Sequence, residues 1–163
     1  MRQIDHIAIR VRAQDRAPAI LDLMRLTSYD FDEAFYVEAL NSITNVTRHG
    51  ADAAIVVTSG ISPYVEDDAS GPTEKFVRNY GPRTHHVAFW TERIEETFEA
   101  LKAAGQEFLV ELVGSPAEGL KQTFTQPSPH TMLVHEYIYR YGGFDGFFTK
   151  SNVTALTRAT EKQ

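Results

Sequence analysis

The chain has 163 residues, of which 42% are hydrophobic and 23% charged, so it is long enough for one globular domain or two half-size modules, and disordered and fibrous classes are excluded. Its net charge of −6 argues against a nucleic-acid partner. No apolar run reaches the roughly 20 residues that cross a membrane, the N-terminus has no signal-peptide pattern, and we therefore expect a cytoplasmic protein without membrane contact. The chain contains no cysteine, which leaves only imidazole and carboxylate side chains to bind a metal ion.

Two short segments, 5–11 and 85–91, carry the same pattern 80 positions apart. In each, a histidine (His6 or His86) is followed by a β-branched residue, an alanine and an apolar residue, as in a strand. An apolar stripe with helical spacing comes after each segment, which indicates an internal repeat. The stripes consist of Ala17, Ile20, Leu21 and Met24 in the first copy and of Ile94, Phe98, Leu101 and Ala104 in the second.

Three strand-like runs follow each predicted helix, so each half of the chain consists of a strand, a helix and three further strands. The glycine- and proline-rich stretch between the halves predicts a linker with a short helix at 73–80, and a final helix is predicted at 152–162. The six runs lie at 34–40, 42–48, 53–58, 107–113, 120–125 and 132–140. We divide the chain into a first module at 1–60, a linker at 61–82, a second module at 83–143 and a C-terminal lid helix at 144–163.

Three residues of the predicted strands are candidates for a metal site. Because side chains alternate between the faces of a strand, His6 and His86 point away from the apolar residues that face the helices. Glu136 lies in the middle of the last strand, where a carboxylate is costly to bury unless it is paired or bound to a cation. Two histidines and one glutamate form a ligand set that leaves open positions on non-haem Fe(II).

Other interpretations of these residues stay open at this point. Glu136 could form an ion pair with Arg140 or Arg10 on the same face, and a histidine in a strand is often an ordinary core or surface residue. Only alternation and chemical preference favour Glu136 over His135 as a ligand. Alternation also predicts that His85 faces away from the side on which His86 lies.

A family resemblance rests on three stretches of the sequence. They are residues 4–6, residues 85–89 followed by Ile94, and a C-terminal region that contains the runs Gln-Thr-Phe-Thr-Gln-Pro and Glu-Tyr-Ile-Tyr-Arg before a glycine-rich segment. On these motifs the chain resembles the vicinal oxygen chelate superfamily. Within it, the chain is most similar to the C-terminal catalytic half of the 4-hydroxyphenylpyruvate dioxygenase family.

The resemblance implies an α+β fold in which two βαβββ modules pair into a cupped mixed β-sheet with a C-terminal helix. It implies that His6, His86 and Glu136 bind a metal ion, with Fe(II) expected first and Mn, Zn or Ni as alternatives. A small-molecule substrate and O2 are the implied partners, and a homodimer is expected by the same likeness. The implied substrate-binding residues are Ser42, Gln122, Phe124, Phe147, Phe148 and Asn152.

The chain departs from this family where the family recognises an aromatic ring. Thr149 and Ser151 stand in place of two glycines of the C-terminal motif, and Val153 stands in place of its final aromatic residue. The resemblance therefore implies a similar metal centre that acts on a different 2-oxo acid or enol substrate.

The leading hypothesis is an Fe(II)-dependent dioxygenase that acts on a small 2-oxo acid. The first alternative is a glyoxalase-type isomerase or lyase, which commonly takes a fourth protein ligand from the last strand of the first module. The matching position is Val56, and residues 54–58 contain no carboxylate, which favours a site with three protein ligands. The second alternative, a metal-free binding protein of the bleomycin-resistance kind, would leave His6, His86 and Glu136 without a common role.

Overall fold

Eight strands form one continuous mixed sheet in the computed structural model, which describes residues 3–146 and 150–163. The strands are β1 (Gln3–Arg10), β2 (Asp30–Val37), β3 (Ser42–Arg48), β4 (Ala54–Ser59), β5 (Arg83–Trp90), β6 (Phe108–Ser115), β7 (Leu120–Thr125) and β8 (Val134–Arg140). Their order across the sheet is β2-β3-β4-β1-β5-β8-β7-β6. The first half of the chain therefore supplies one side of the sheet and the second half supplies the other.

The two sides meet at the antiparallel pair β1 and β5. On one side of this pair β4 runs parallel to β1, and on the other side β8 runs parallel to β5. The outer pairs are all antiparallel, so the same arrangement occurs twice. This topology confirms the predicted α+β class and its paired modules, while the limits set for the modules and the linker remain predictions.

Four helices accompany the sheet: α1 (Arg16–Leu26), α2 (Asp67–Tyr80), α3 (Ile94–Ala103) and α4 (Lys150–Ala159). Helix α1 packs against β2 and β4, and α3 packs against β7 and β8. Within the described residues, none of these helices is long and apolar enough to cross a membrane.

Helix α4 shows that the sheet is cupped, because it contacts both edge strands, β2 and β6. The edges of a flat eight-stranded sheet would lie roughly 34 Å apart, whereas a ten-residue helix is roughly 15 Å long. The sheet must therefore curl around α4, and the core fills the space between them. Its two clusters are formed by Ala8, Val46, Ala54 and Val56, and by Val110, Phe124, Val134 and Leu156.

Two predicted elements have different limits in the structure. Strand β2 ends at Val37, and Glu38–Leu40, predicted as strand, forms a 3-10 turn. The turn ends at Asn41 in the left-handed conformation, where its side-chain amide donates hydrogen bonds to the carbonyl oxygens of Ser62 and Ser70. The predicted helix at 73–80 is the longer part of α2, which includes an additional turn before a break at Gly71.

The predicted apolar stripe of α1 is wrong in part. Ile20 is half-buried, but Leu21 is 63% exposed and Met24 is 39% exposed. Ala19 and Leu23 lie on the sheet side instead, so the face in contact with the sheet is rotated by about one residue. The described residues leave an apolar surface on the outside of α1.

We predict that Gly71→Ala destabilises the protein more than Gly81→Ala does. Both glycines have nearly the same backbone conformation, with φ of 77° and 78°, which costs a residue with a side chain about 1–3 kcal/mol. At Gly71 a Cβ atom would also lie 2.2 Å from the carbonyl oxygen of Leu40, whereas nothing lies within 4 Å at Gly81. The additional loss should be about 1–3 kcal/mol in the free energy of unfolding, measured by urea denaturation. Equal losses in the two variants would contradict the close approach of α2 to Leu40.

Candidate metal centre

Strands β1, β5 and β8 bring His6, His86 and Glu136 together on the cupped face of the sheet. The parallel pairing of β8 with β5 sets Glu136 beside Ala88, two residues beyond His86. One ligand atom from each of the three residues lies within 4.8 Å of the other two. All three residues are buried, with exposures of 0% for His6, 5% for His86 and 0% for Glu136. The geometry therefore allows one metal ion to contact all three.

A β-bulge precedes each histidine. The register between β1 and β5 skips Asp5 on one strand and His85 on the other, so each is an extra residue that interrupts alternation. Oδ1 of Asp5 lies 2.8 Å from Nδ1 of His6, and Nδ1 of His85 lies 2.9 Å from Nδ1 of His86. The prediction that His85 faces away from His86 is thus wrong, because simple alternation does not hold across a bulge.

Asp5 holds the ring of His6 and is itself held by Arg140. The Nε and Nη2 atoms of Arg140 each donate a hydrogen bond of 2.9 Å to the Asp5 carboxylate. Burial would raise the pKa of Asp5, but the hydrogen bonds from Arg140 and His6 outweigh it and hold that pKa well below its usual range. A carboxylate that accepts from one nitrogen of a histidine directs the other nitrogen towards a metal, as in many metal sites.

His85 plays the corresponding part for His86. Its Nε2 lies 3.1 Å from the side-chain carbonyl oxygen of Gln163, which can only accept, so Nε2 of His85 carries the proton. Nδ1 of His85 is then an acceptor, and Nδ1 of His86 donates to it. Burial lowers the pKa of both histidines well below the usual value, with nearby positive charge adding to the effect, so both are neutral. Nε2 of His86 therefore presents a lone pair to the cluster.

The Glu136 carboxylate is oriented by a chain of two amides. Nε2 of Gln122 donates to Oε1 of Glu136 at 2.6 Å, and Nδ2 of Asn152 donates to Oε1 of Gln122 at 2.8 Å. These bonds occupy one carboxylate oxygen and leave the other, Oε2, directed at the histidines. Asn152 belongs to α4, so the helix above the sheet helps to orient Glu136 on the sheet.

The cluster fits a divalent cation. Oε2 of Glu136 lies 3.0 Å from Nε2 of His6 and 3.4 Å from Nε2 of His86. Within the described part of the chain, Nε2 of His86 makes no hydrogen bond. A carboxylate oxygen and an imidazole lone pair then face each other in a buried space, an arrangement that a cation between them would stabilise. Imidazole with carboxylate is a donor set that suits iron and related divalent ions.

His6 holds a proton when no metal is bound. Burial alone would lower its pKa, but the negative charge of Glu136 and the hydrogen bond to Asp5 outweigh this and raise the pKa of His6 to about 9. At neutral pH the metal-free cluster thus contains an imidazolium beside the Glu136 carboxylate. A metal ion must displace that proton before His6 can bind it.

A small cavity lies beside the cluster, between the sheet and α4. His86 and Phe124 line it together with Val153 and Leu156 of α4. The Phe124 ring meets the His86 ring edge-on, with 5.7 Å between the ring centroids. The cavity has a volume of about 30 Å³, which is room for little more than water. The cavity in this conformation therefore has no room for an organic ligand.

The predicted substrate-binding residues fall into three groups. Phe124 and Asn152 line the cavity, and Gln122 is fully buried next to it through its bond to Glu136. Ser42 is buried elsewhere, with its hydroxyl 3.4 Å from that of Thr73 in α2, and is not part of the cavity wall. The remaining two, Phe147 and Phe148, lie outside the described residues.

The structure also decides between the alternatives for Glu136. Arg140 pairs with Asp5, and Arg10 donates to the hydroxyl of Thr160 rather than to Glu136. His135 lies on the opposite face of β8, where its ring stacks on Phe89. Glu136 is thus the side chain of β8 that faces the two histidines. Sequence reasoning missed Asp5, Arg140 and His85 as supporting residues, although Asp5 and His85 each directly precede a candidate ligand.

Residues 5–124 match the sequence profile of the Glyoxalase/Bleomycin resistance protein/Dioxygenase superfamily. The chain belongs to this superfamily. The comparison with curated proteins gave no significant match. The predicted resemblance is therefore confirmed at the level of the superfamily.

Solved structures share this fold over most or nearly all of the chain. A mutant of 4-hydroxymandelate synthase from Streptomyces coelicolor aligns with a TM-score of 0.79 and 20% identity over 99% of this chain and 55% of its own. Methylmalonyl-CoA epimerase from Mycobacterium tuberculosis aligns with a TM-score of 0.64 and 16% identity over 84% of this chain and 87% of its own. The present chain thus spans about half the length of the synthase, and at these identities the likeness concerns the fold.

Because the two halves of this chain have the same topology, Glu136 has a counterpart in the first half. Ala8 lies two residues after His6 and pairs with Val56, just as Ala88 lies two residues after His86 and pairs with Glu136. Val56 thus occupies the position in the first half of the chain that corresponds to Glu136 in the second half. Its side chain is 1% exposed and lines the cavity.

We predict that Glu136→Gln abolishes tight metal binding. The substitution keeps the shape and one oxygen of the side chain but removes the negative charge. The metal affinity should fall by more than the roughly 10–100-fold that is typical when a residue that only hydrogen-bonds a metal ligand is removed. Fe(II) and Zn(II) affinities measured anaerobically by calorimetry test this. Glu111→Gln, on an exposed glutamate, is the matched control and should bind like the wild type. Unchanged affinity in Glu136→Gln would exclude this cluster as the metal site.

We also predict that metal affinity rises with pH up to about 9. Since the pKa of His6 is raised to about 9, binding between pH 7 and 9 should release one proton, and the apparent affinity should rise about tenfold per pH unit. Zn(II) calorimetry in buffers of different ionisation enthalpy counts the released protons. Binding that releases no proton at pH 7.5 would contradict a protonated His6 in the metal-free protein.

Proposed function

We propose that the protein is an Fe(II)-dependent dioxygenase that acts on a small 2-oxo acid. The observation that carries the proposal is the buried set of His6, His86 and Glu136, with the apolar Val56 where a fourth ligand would stand. Three protein ligands leave positions for a chelating substrate and for O2, whereas four would leave less room. Mn, Zn and Ni are the alternative metals for the same donor set.

When bound, the metal would supply a positive charge that polarises the 2-oxo acid and a route for electrons from the acid to O2. The chain's own residues do the rest. Asp5 and His85 fix the two imidazoles, and Gln122 orients the carboxylate of Glu136. Phe124 forms an apolar wall, and α4 excludes water from the reacting groups, which protects them from side reactions.

The overall reaction balances without another reductant. Loss of CO2 from a 2-oxo acid supplies two electrons, and hydroxylation of a carbon supplies two more, which together reduce one O2. One oxygen atom enters the new carboxylate and the other enters the hydroxyl group. The expected stoichiometry is one O2 consumed and one CO2 released for each 2-oxo acid.

Helix α4 is the proposed lid of this site. It contributes four of the residues around the cavity, so its movement would open the cavity from above the sheet. The apolar surface left on the outside of α1, with Leu21 and Leu26 at its centre, is where we place the predicted homodimer contact.

Oxygen uptake by the Fe(II)-loaded protein tests this function. We predict uptake and CO2 release in a ratio of one to one with at least one member of a panel of 2-oxo acids, and its loss in His86→Ala. His135→Ala, on the opposite face of the sheet, is the matched control and should keep the wild-type rate.

Two results would contradict the proposal. One is isomerisation or lyase activity that proceeds anaerobically with the metal bound, which would favour a glyoxalase-type enzyme. The other is a wild-type protein that binds small molecules but no divalent metal, as a bleomycin-resistance-type binding protein would.

A further inference from the structure

Arg10 is a buried cation at the far end of the cavity from the candidate metal centre. It lies on β1 four residues after His6 and on the same face, and it is only 4% exposed. Its side chain lines the cavity together with those of His86 and Phe124. A charged group in such a place is uncommon unless something compensates it.

The contacts of Arg10 do not compensate its charge. Nη2 donates to the Thr160 hydroxyl at 3.3 Å, and the guanidinium carbon lies 4.9 Å from the centre of the Phe76 ring. Nη1 is buried and has no hydrogen-bond partner, and no carboxylate within the described residues forms an ion pair with Arg10. Burial lowers the pKa of Arg10 below its ordinary value, yet a guanidinium remains charged at neutral pH.

A purely structural role does not account for this arrangement. One long hydrogen bond and one ring contact leave Nη1 of the guanidinium without a partner, and a buried charge that no carboxylate offsets destabilises the fold. An apolar side chain of similar size would fill the same space against Phe76 without that cost. An anion that accepts a hydrogen bond from Nη1 would compensate the charge of the guanidinium.

The wall beside Arg10 offers further donors for such an anion. Thr58 pairs with Arg10 in the register of β1 and β4, and its hydroxyl lies 3.3 Å from that of Thr44 on β3. Both threonines line the cavity. A guanidinium beside two hydroxyl groups is a suitable receptor for a carboxylate, which a fork of N–H groups binds strongly.

We infer that Arg10 binds a second carboxylate of the substrate, so that the enzyme acts on 2-oxo diacids rather than on 2-oxo monoacids. The inference rests on the proposed function for the identity of the chelating end. That end would lie at His6, His86 and Glu136, and the distal carboxylate would meet Arg10.

The spacing along β1 sets the length of the substrate. His86 stands opposite Ala8, two residues before Arg10, and His6 lies four residues before Arg10, so the strand positions of the candidate ligands are roughly 7 to 13 Å from that of Arg10. Chains of four to six carbons match this separation. The sheet also contributes the apolar side chains of Ala8, Val56 and Phe124 to the cavity wall, which suit an aliphatic chain.

Calorimetry with matched pairs of ligands tests the inference. The probes are oxaloacetate with 2-oxobutanoate, 2-oxoglutarate with 2-oxopentanoate, and 2-oxoadipate with 2-oxohexanoate, each titrated anaerobically into Zn(II)-loaded and metal-free protein. For at least one pair we expect the diacid to bind the wild type at least about tenfold more tightly than the monoacid, the low end for a charge-assisted hydrogen bond. Arg10→Met should remove this preference, Arg10→Lys should keep part of it, and Arg93→Met, on an exposed arginine, should leave it intact.

The outcomes separate this inference from the proposed function. Equal affinities for diacid and monoacid in the wild type, or a preference that survives in Arg10→Met, would overturn the role of Arg10 even if O2 uptake is normal. A diacid preference that Arg10→Met abolishes would support it even if no O2 is consumed. Because replacing an unpaired buried charge by an apolar side chain is often neutral or stabilising, Arg10→Met should fold. Equal wild-type affinities within every pair would overturn the inference without any variant.

Discussion

The antiparallel pairing of β1 with β5 is the constraint on which the candidate site depends. It sets His6 opposite Ala88 and His86 opposite Ala8, so each imidazole faces a methyl group across the strands. Larger side chains at the two alanines would occupy the space into which the rings extend. The two parallel neighbours of this pair then deliver Val56 on one side and Glu136 on the other. The two halves of the chain thus contribute similar strands to the site, but only the second half contributes a carboxylate, that of Glu136.

Burial gives this site its chemical character. A carboxylate and two imidazoles in a dry space interact more strongly than they would in water, and they must share a positive charge. In the metal-free protein a proton on His6 supplies it, and in the proposed enzyme a divalent ion does. The same burial leaves Arg10 with an unmatched charge at the other end of the cavity. The cluster of His6, His86 and Glu136 is thus suited to a cation, whereas Arg10 is suited to an anion.

The sequence was sufficient for the parts of this structure that follow from periodicity. Alternation along β1, β5 and β8 predicted that His6, His86 and Glu136 share a face, and the repeat predicted the paired modules. It could not reveal the bulges at Asp5 and His85, because a bulge depends on the register between strands that are distant in sequence. The exposure of Leu21 could not be predicted for a similar reason, since tertiary packing decides which face of α1 meets the sheet. The absence of an ion-pair partner for Arg10 among the described residues likewise depends on every element around the cavity.

Both ends of the C-terminal segment reach the candidate ligands through one intermediate residue. Asn152 holds Gln122, which holds Glu136, and Gln163 holds His85, which holds His86. Displacing this segment would loosen both ligands at once. By thermodynamic reciprocity, a ligand that keeps the segment closed must strengthen metal binding by the same factor by which the metal strengthens binding of that ligand. In the proposed enzyme, retention of the metal and retention of the substrate would therefore depend on the same C-terminal segment.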